Sequence, residues 1–173
     1  MSDVLNMPET DHSFALRQAM RHMAGGVCVI TAGTGVERAG LTVTSATSLS
    51  MEPPTMLICV NRTASAWPII RKHGHFAVNI LSAHQEDVAS RFAGRDGLKG
   101  AARYDGADWD VLGSGASGLR GALAVIDCAV DEIIERHSHG IIIGAVKSVT
   151  LGEGPNHDPL VYGHGRFAAL RLP

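Results

Sequence analysis

The sequence predicts a mainly β protein, an antiparallel barrel with a few short α-helices on its periphery. Two observations carry that expectation. Most apolar stretches are rich in Val and Ile and are bounded by Gly, Pro, Asn or Ser, which is how strands are punctuated. Helix-periodic stretches are brief and irregularly placed, whereas a doubly wound sheet needs a helix between successive strands.

Taken in order, residues 13–24 carry apolar side chains at 16, 19, 20 and 23, the spacing of an amphipathic helix. Gly25-Gly26 stops it. Residues 27–32 form an apolar strand, and Gly33-Thr34-Gly35 turns the chain. Leu41 and Val43 then alternate with Thr42 and Thr44. The phase slips at Ser45 and again at Ser48, so Leu49 and Met51 regain the original parity. An extra residue flips every later side chain to the other face, so two slips predict bulges. Bulges leave backbone amides without ladder partners. With Thr44, Ser45, Thr47 and Ser48 they would form a neutral, donor-rich cradle suited to a phosphate. The bland alternative is a solvent-facing hydroxyl stripe.

Glu52-Pro53-Pro54 breaks that strand, since proline donates nothing to a ladder. Residues 55–60 are expected to be a fully buried strand, ending in Asn61, Arg62, Thr63 and Ser65. Ser65 can cap a short helix through Lys72, with Pro68 tolerated in its first turn. Residues 75–81 alternate, with Phe76, Val78 and Ile80 on one face and Asn79 on the other. Ser82 and Gln85 make a capping box for a helix to about Ala93. Residues 94–118, rich in Gly, Ala, Ser and Asp, predict a long loop with one short strand around Trp109. Residues 122–134 and 139–151 are two long strands, and 159–162 and 166–172 finish the chain.

Bulk properties narrow the function classes. The 173 residues fit one domain, taken as 13–173 after a mobile N-terminal arm, 1–12. Only 18% of residues are charged and the net charge is −2, which argues against a basic nucleic-acid surface. No apolar run approaches the roughly 18 residues of a membrane span. The arm is polar and acidic, unlike a secretory leader, and the expected compartment is the cytoplasm. Cys28, Cys59 and Cys128 each fall in an apolar run, so they predict reduced core thiols rather than disulfides or metal ligands.

Gly113, Gly115 and Gly118 match the dinucleotide fingerprint G-x-G-x-x-G. That chemistry needs a buried strand before the motif and a helix after it. Val111-Leu112 is too short for the strand, and the β-branched stretch after Gly121 is not a helix. The segment is expected to be a linker between strands.

Three motifs together resemble one family. They are G-L-T-V-T-S-A-T-S-L-S at 40–50 with Pro53-Pro54, C-V-N-R at 59–62 with Ala64-Ser65 and Trp67-Pro68, and F-A-V-N-I-L-S at 76–82 with Gln85-Glu86. The chain is similar over nearly its whole length, Phe14 to Leu170, to the flavin reductase family. These are NAD(P)H-dependent reductase components of two-component flavin monooxygenases. It looks nearest to those serving pyrimidine-ring-opening and 4-hydroxyphenylacetate-hydroxylating enzymes.

The resemblance implies an FMN-binding split barrel with Greek-key-like strand order, working as a homodimer. It implies reduction of FMN, or FAD, by NADH in preference to NADPH, with reduced flavin passed to a partner monooxygenase. Carried over position by position, Thr42, Thr44 and Ser45 lie toward the ring or ribityl chain, and Thr47 and Ser48 toward the phosphate. Asn61 bonds the ribityl or ring edge, and Ser65 serves the phosphate at a helix N-terminus. Arg91, Phe92 and Arg95 close over the flavin, with a basic residue near the phosphate. Ser82 is left outside the site as a capping residue.

The C-terminal third departs from the family pattern. Where the family has G-D-H or G-T-H, this chain has His137-Ser138-His139. The resemblance gives His139 the role of positioning NADH. Two alternatives stand beside it. One is a structural histidine. The other is a metal site, because His-x-His on a strand points both rings to one face; no metal is expected. Tyr162, His164, Arg166 and Phe167 resemble the family's closing strand. Two other functions share such a pocket: an oxidase of pyridoxamine phosphate type, which calls for a more basic phosphate site, and a non-catalytic flavin carrier or sensor.

Overall fold

A computed structural model of the chain describes residues 12–153 and 158–171. The strands are β1 (Gly25–Gly26), β2 (Cys28–Thr34), β3 (Glu37–Val43), β4 (Thr47–Met51), β5 (Pro54–Asn61) and β6 (His75–Ile80). They continue with β7 (Trp109–Val111), β8 (Ser117–Leu119), β9 (Ala124–Arg136), β10 (His139–Leu151), β11 (Leu160–Gly163) and β12 (Arg166–Ala169). Three α-helices accompany them, α1 (His12–Arg21), α2 (Ala66–His73) and α3 (Glu86–Phe92). The predicted class holds: mainly β, antiparallel throughout, with short helices at the edge.

Seven strands form one sheet in the order β3-β2-β6-β9-β10-β5-β4. Its two edge strands, β3 and β4, are neighbours in sequence, separated by Thr44, Ser45 and Ala46 alone. A flat sheet of this width would hold its edges about 29 Å apart, at roughly 4.8 Å per strand. The link from Val43 to Thr47 reaches at most about 14 Å. The sheet therefore has to curl until its edges nearly meet. They do not pair, so the barrel is split at residues 44–46. The bulge expected at Ser45 is instead the end of one strand and the gap before the next, where the edges part. Sequence phase slips again at Ser48, and the β4–β5 register shifts between Ser48 and Ser50.

Side chains at odd positions of β3 and even positions of β5 and β10 fill the barrel, among them Ala39, Val43, Ile58, Val60 and Ile142. Gly140 lies under the Trp67 ring of α2, which covers one end; a Cβ there would fall 2.2 Å from the ring. A second core lies outside the barrel wall. Val27 and Val29 meet Val88, Ala89 and Phe92 of α3, with Tyr104 and Leu119. This outer core covers the second face of β6, the face expected to carry Asn79, and Asn79 is wholly buried there. Its amide donates to the Val29 carbonyl and its oxygen accepts from the Leu119 amide, so nothing is left unpaired.

Departures from expectation are local. Residues 55–60 alternate between buried and half-buried instead of being fully buried, because only the inward face of β5 meets the core. Segment 94–118 is more structured than a loop with one strand. It holds a 3-10 helix, Gly100–Tyr104, and a β7–β8 hairpin pinned by Thr31, which donates to the Ser117 carbonyl. The glycine fingerprint makes that hairpin's turn. Gly115 sits at φ 97, and Ser114 donates through amide and hydroxyl to the buried Asp127 carboxylate. His137 occupies the β9–β10 turn at φ 49, so it does not share a strand face with His139. That removes the geometric basis of the paired-histidine metal site. The predicted arm falls outside the described residues apart from His12, and so does Leu172.

Candidate functional site

The site grows from the split. Thr44, Ser45 and Ala46 lie outside both flanking ladders, so their amides have no strand partners there. Two neighbouring hydroxyls are tied to the scaffold. Thr42 donates to the Ala89 carbonyl of α3 at 2.6 Å, and Ser45 to the Cys59 carbonyl of β5 at 3.1 Å. They fix the two lips of the gap. Thr44, Thr47 and Ser48 are exposed, and the Thr47 hydroxyl reaches only the Ser48 carbonyl, at 3.4 Å.

The chain after β5 supplies the facing wall. Asn61 Oδ1 accepts from the Thr63 amide and hydroxyl, each at 2.9 Å, which folds the turn and aims Thr63 and Ser65 outward. Arg62 anchors the same turn: its amide donates to the Ser138 carbonyl, and its guanidinium pairs with Glu135. Ser65 stands at the N-cap of α2 in helical conformation and makes no side-chain capping bond. Its exposed hydroxyl is therefore free for a ligand, beside helix amides that favour an anion. Ser82 does use its side chain in a capping box with Gln85, in keeping with its exclusion from the site.

A cavity of about 410 Å³ opens between these walls, lined by Thr42, Thr63, Ser65, Phe92, Lys99 and Arg103 among others. A second, about 310 Å³, adjoins it across Thr42 and Ala93 and is lined by Thr44, Arg95, Tyr162 and Phe167. A third, about 630 Å³, meets the second at Thr44 and Tyr162. It runs under Leu16, Met20 and Met23, along and just beyond α1, to Ser45 and His164. The three make one trough along the split. Its middle has an aromatic wall, the Tyr162 and Phe167 rings 5.1 Å apart, with the Arg95 guanidinium 5.0 Å above Phe167.

Not every expected residue reaches this trough. Arg91 turns away and donates to the Asp105 carbonyl. Phe92 is buried in the outer core against Tyr104 and Trp109, with an edge on the first cavity. Thr47 and Ser48 stand on the exposed edge strand β4. His139 begins β10, exposed, with Ser138 Oγ 2.9 Å from its Nδ1, and faces Asn61 across the ladder. Two lining residues went unseen in the sequence, Lys99 and Arg103. Both lie in the Gly- and Ala-rich stretch taken for plain loop, where no periodicity aims a side chain.

Charge is distributed to suit an anion. The described acidic partners of ion pairs are elsewhere: Glu135 holds Arg62 and Arg71, Asp110 holds Arg120, and Glu37 holds Lys72 and His73. The Lys72 ammonium, then His73, keeps the Glu37 carboxyl below its usual range. Among the described residues no carboxylate pairs with Arg95, Lys99 or Arg103. Burial pushes the Cys28 thiol up to about 11 and the Cys128 thiol to about 12, so neither is an activated nucleophile. No group of three or more metal-ligating side chains occurs among the described residues.

Unpaired amides, neutral hydroxyls, an aromatic wall and uncompensated cations along one cleft fit a flat ligand carrying a phosphate. The cavities fall in the size range of cofactor sites. Fold and site together define a flavin-binding barrel of the reductase class. The chain belongs to the flavin reductase family, whose flavin reductase like domain matches residues 20–171. It is 38% identical over 166 residues, 96% of this chain and 94% of the relative, to the FMN reductase (NADH) RutF 2 of Methylorubrum extorquens. Among solved structures it resembles the NADH:FAD oxidoreductase SgcE6 of Streptomyces globisporus, with TM-score 0.85, 32% identity and coverage of 99% and 100% of the two chains. It also resembles BorF, the flavin reductase component of a bacterial two-component tryptophan halogenase, with TM-score 0.83, 32% identity and coverage of 93% and 99%.

Proposed function

We propose that this protein is an NADH:flavin oxidoreductase that reduces FMN, and accepts FAD, for a separate flavin-dependent monooxygenase. The observation that carries the reading is the trough at the barrel split, where Thr42, Thr44 and Ser45 meet Thr63, Ser65 and Lys99. Flavin, when bound, supplies the acceptor for the two electrons of NADH; the protein supplies place and orientation. The 44–46 amides with Thr42, Thr44 and Ser45 hold the ring and ribityl chain. Thr63, Ser65 and the cationic wall take the phosphate. Tyr162 and Phe167 keep water from one flank. Asn61 serves the ribityl or ring edge, and His139, its ladder partner at the strand end, positions the nicotinamide nucleotide.

The working unit is a homodimer. Leu16, Met20 and Met23 are 52–66% exposed in the single chain, along one apolar stripe that also walls the trough. Apolar surface of that kind marks an interface. Unpaired cysteines and NADH as reductant fit the cytoplasm. A carrier without turnover would bind flavin in the same trough but leave NADH unspent. The deciding experiment follows NADH absorbance under air with catalytic protein and added FMN. Consumption well above the protein-free rate is expected, and no consumption by flavin-loaded protein would overturn the reductase reading in favour of the carrier or the oxidase.

A further inference from the structure

The geometry points to Arg103 as a positioning residue that presents Lys99 to the phosphate end of the flavin, an inference resting on the flavin reading above. Arg103 lines the 410 Å³ cavity, yet three of its N–H donors are already spent on the protein. Nη1 donates to the Gly40 carbonyl at 2.9 Å and the Phe92 carbonyl at 3.0 Å, and Nε donates to the Leu98 carbonyl at 2.8 Å. Those carbonyls belong to three segments: β3, the last residue of α3, and the loop before the 3-10 helix. One side chain thus ties β3 and α3 to the residue preceding Lys99.

Backbone geometry around this tie agrees. Gly94 sits at φ 78, and a Cβ there would come within 3.0 Å of Arg103 Nη2, so the loop passes tightly over the guanidinium. Lys99 next to Leu98 is extended, exposed and lines the same cavity, with no described hydrogen bond or carboxylate partner. The guanidinium charge is held by carbonyls and not neutralised by an acid. Of the two cations, Arg103 is pinned by its carbonyl bonds, and Lys99 keeps its whole ammonium for a ligand. A flexible loop would lose much of that advantage to the entropy of fixing it, and the three-way bond removes that cost beforehand.

Flavin fluorescence titrations of wild type, Lys99→Ala, Arg103→Lys and the double variant, each with FMN and with riboflavin, test this. Each single change should lower FMN affinity by about tenfold or more and riboflavin affinity by less than about threefold, since only FMN carries the phosphate. The double variant should be no weaker than the worse single one, because Arg103 acts through Lys99. Arg103→Lys that keeps wild-type FMN affinity, losses that multiply in the double variant, or equal losses for both flavins would overturn the proposal. Lys99→Ala alone suffices if Arg103→Lys does not fold: an unchanged FMN-to-riboflavin ratio refutes the assignment. Wild type that binds both flavins equally also refutes it while leaving the flavin reading intact. Wild type that takes up neither flavin removes that reading as well.

Discussion

His139 and Asn61 are direct partners across the β5–β10 ladder, although 78 positions separate them in sequence. Both therefore stand on the same face at the same end of the sheet, beside the turn that presents Ser65. The pairing is locked from both sides: the Arg62 amide donates to the Ser138 carbonyl and the Arg62 guanidinium to the His137 carbonyl.

His139→Ala should raise the NADH Michaelis constant or slow flavin reduction while leaving the FMN dissociation constant within about threefold, roughly 0.7 kcal/mol. Steady-state kinetics with a parallel flavin titration separates the two. Equal damage to both would make His139 a scaffold residue, and stoichiometric zinc with chelator-sensitive activity would revive the metal alternative.

Ser65→Ala should weaken FMN binding more than riboflavin binding, because its hydroxyl spends nothing on the helix cap. A hydrogen bond to a charged group contributes about 1.5–3 kcal/mol, so FMN affinity should fall at least about tenfold. Isothermal titration with the two flavins measures the difference; a matching loss for both would place the serine away from the phosphate.

Gly40→Ala should destabilise the wall that carries Thr42. The added Cβ would lie 2.5 Å from the Ile30 carbonyl oxygen and 2.6 Å from the Phe92 ring, so α3 has to move. Overpacking of this kind costs about 1–3 kcal/mol, and the expected fall in Tm is several degrees, at about 2–4 °C per kcal/mol for a chain of this size. Differential scanning calorimetry would show an unchanged Tm if the helix were free to yield.

Met20→Asp should shift the protein from dimer toward monomer by placing a charge in the exposed apolar stripe of α1. Sedimentation velocity would report this as a change from twice the 18.2 kDa chain mass toward a single chain. A wild-type protein already monomeric at micromolar concentration would remove the interface.

Alkaline stability should carry the signature of the buried thiols. Cys28 titrates near 9.0 when unfolded and near 11 when folded, because burial opposes the thiolate. A raised acid favours the protonated native state, so this stabilisation is complete below pH 9 and is lost as the pH climbs from 9 toward 11. Cys128 acts in the same direction, toward about 12. Denaturant titrations across pH 8–11 should therefore show a falling limb that becomes shallower in Cys28→Ala; an identical limb would mean the thiol does not stay buried and neutral.

Local rules made the strands, the capping box at Ser82 and Gln85, and the phase slips at Ser45 and Ser48 legible in the sequence. Each depends on the alternation or capping chemistry of a few neighbouring residues, and the hydroxyl-rich lip of the site came with them. The sequence alone determined a mainly β chain with a break in its strand pattern at Ser45. Only the tertiary structure decided that β3 and β4 are opposite edges of one sheet, so that three residues force a barrel and leave its split at the ligand trough. It likewise decided that Arg91 binds a carbonyl, that Phe92 belongs to the outer core, and that Lys99 and Arg103 line the cavity. Those outcomes depend on which distant backbone groups lie within hydrogen-bond reach, and a loop without periodicity carries no local record of that.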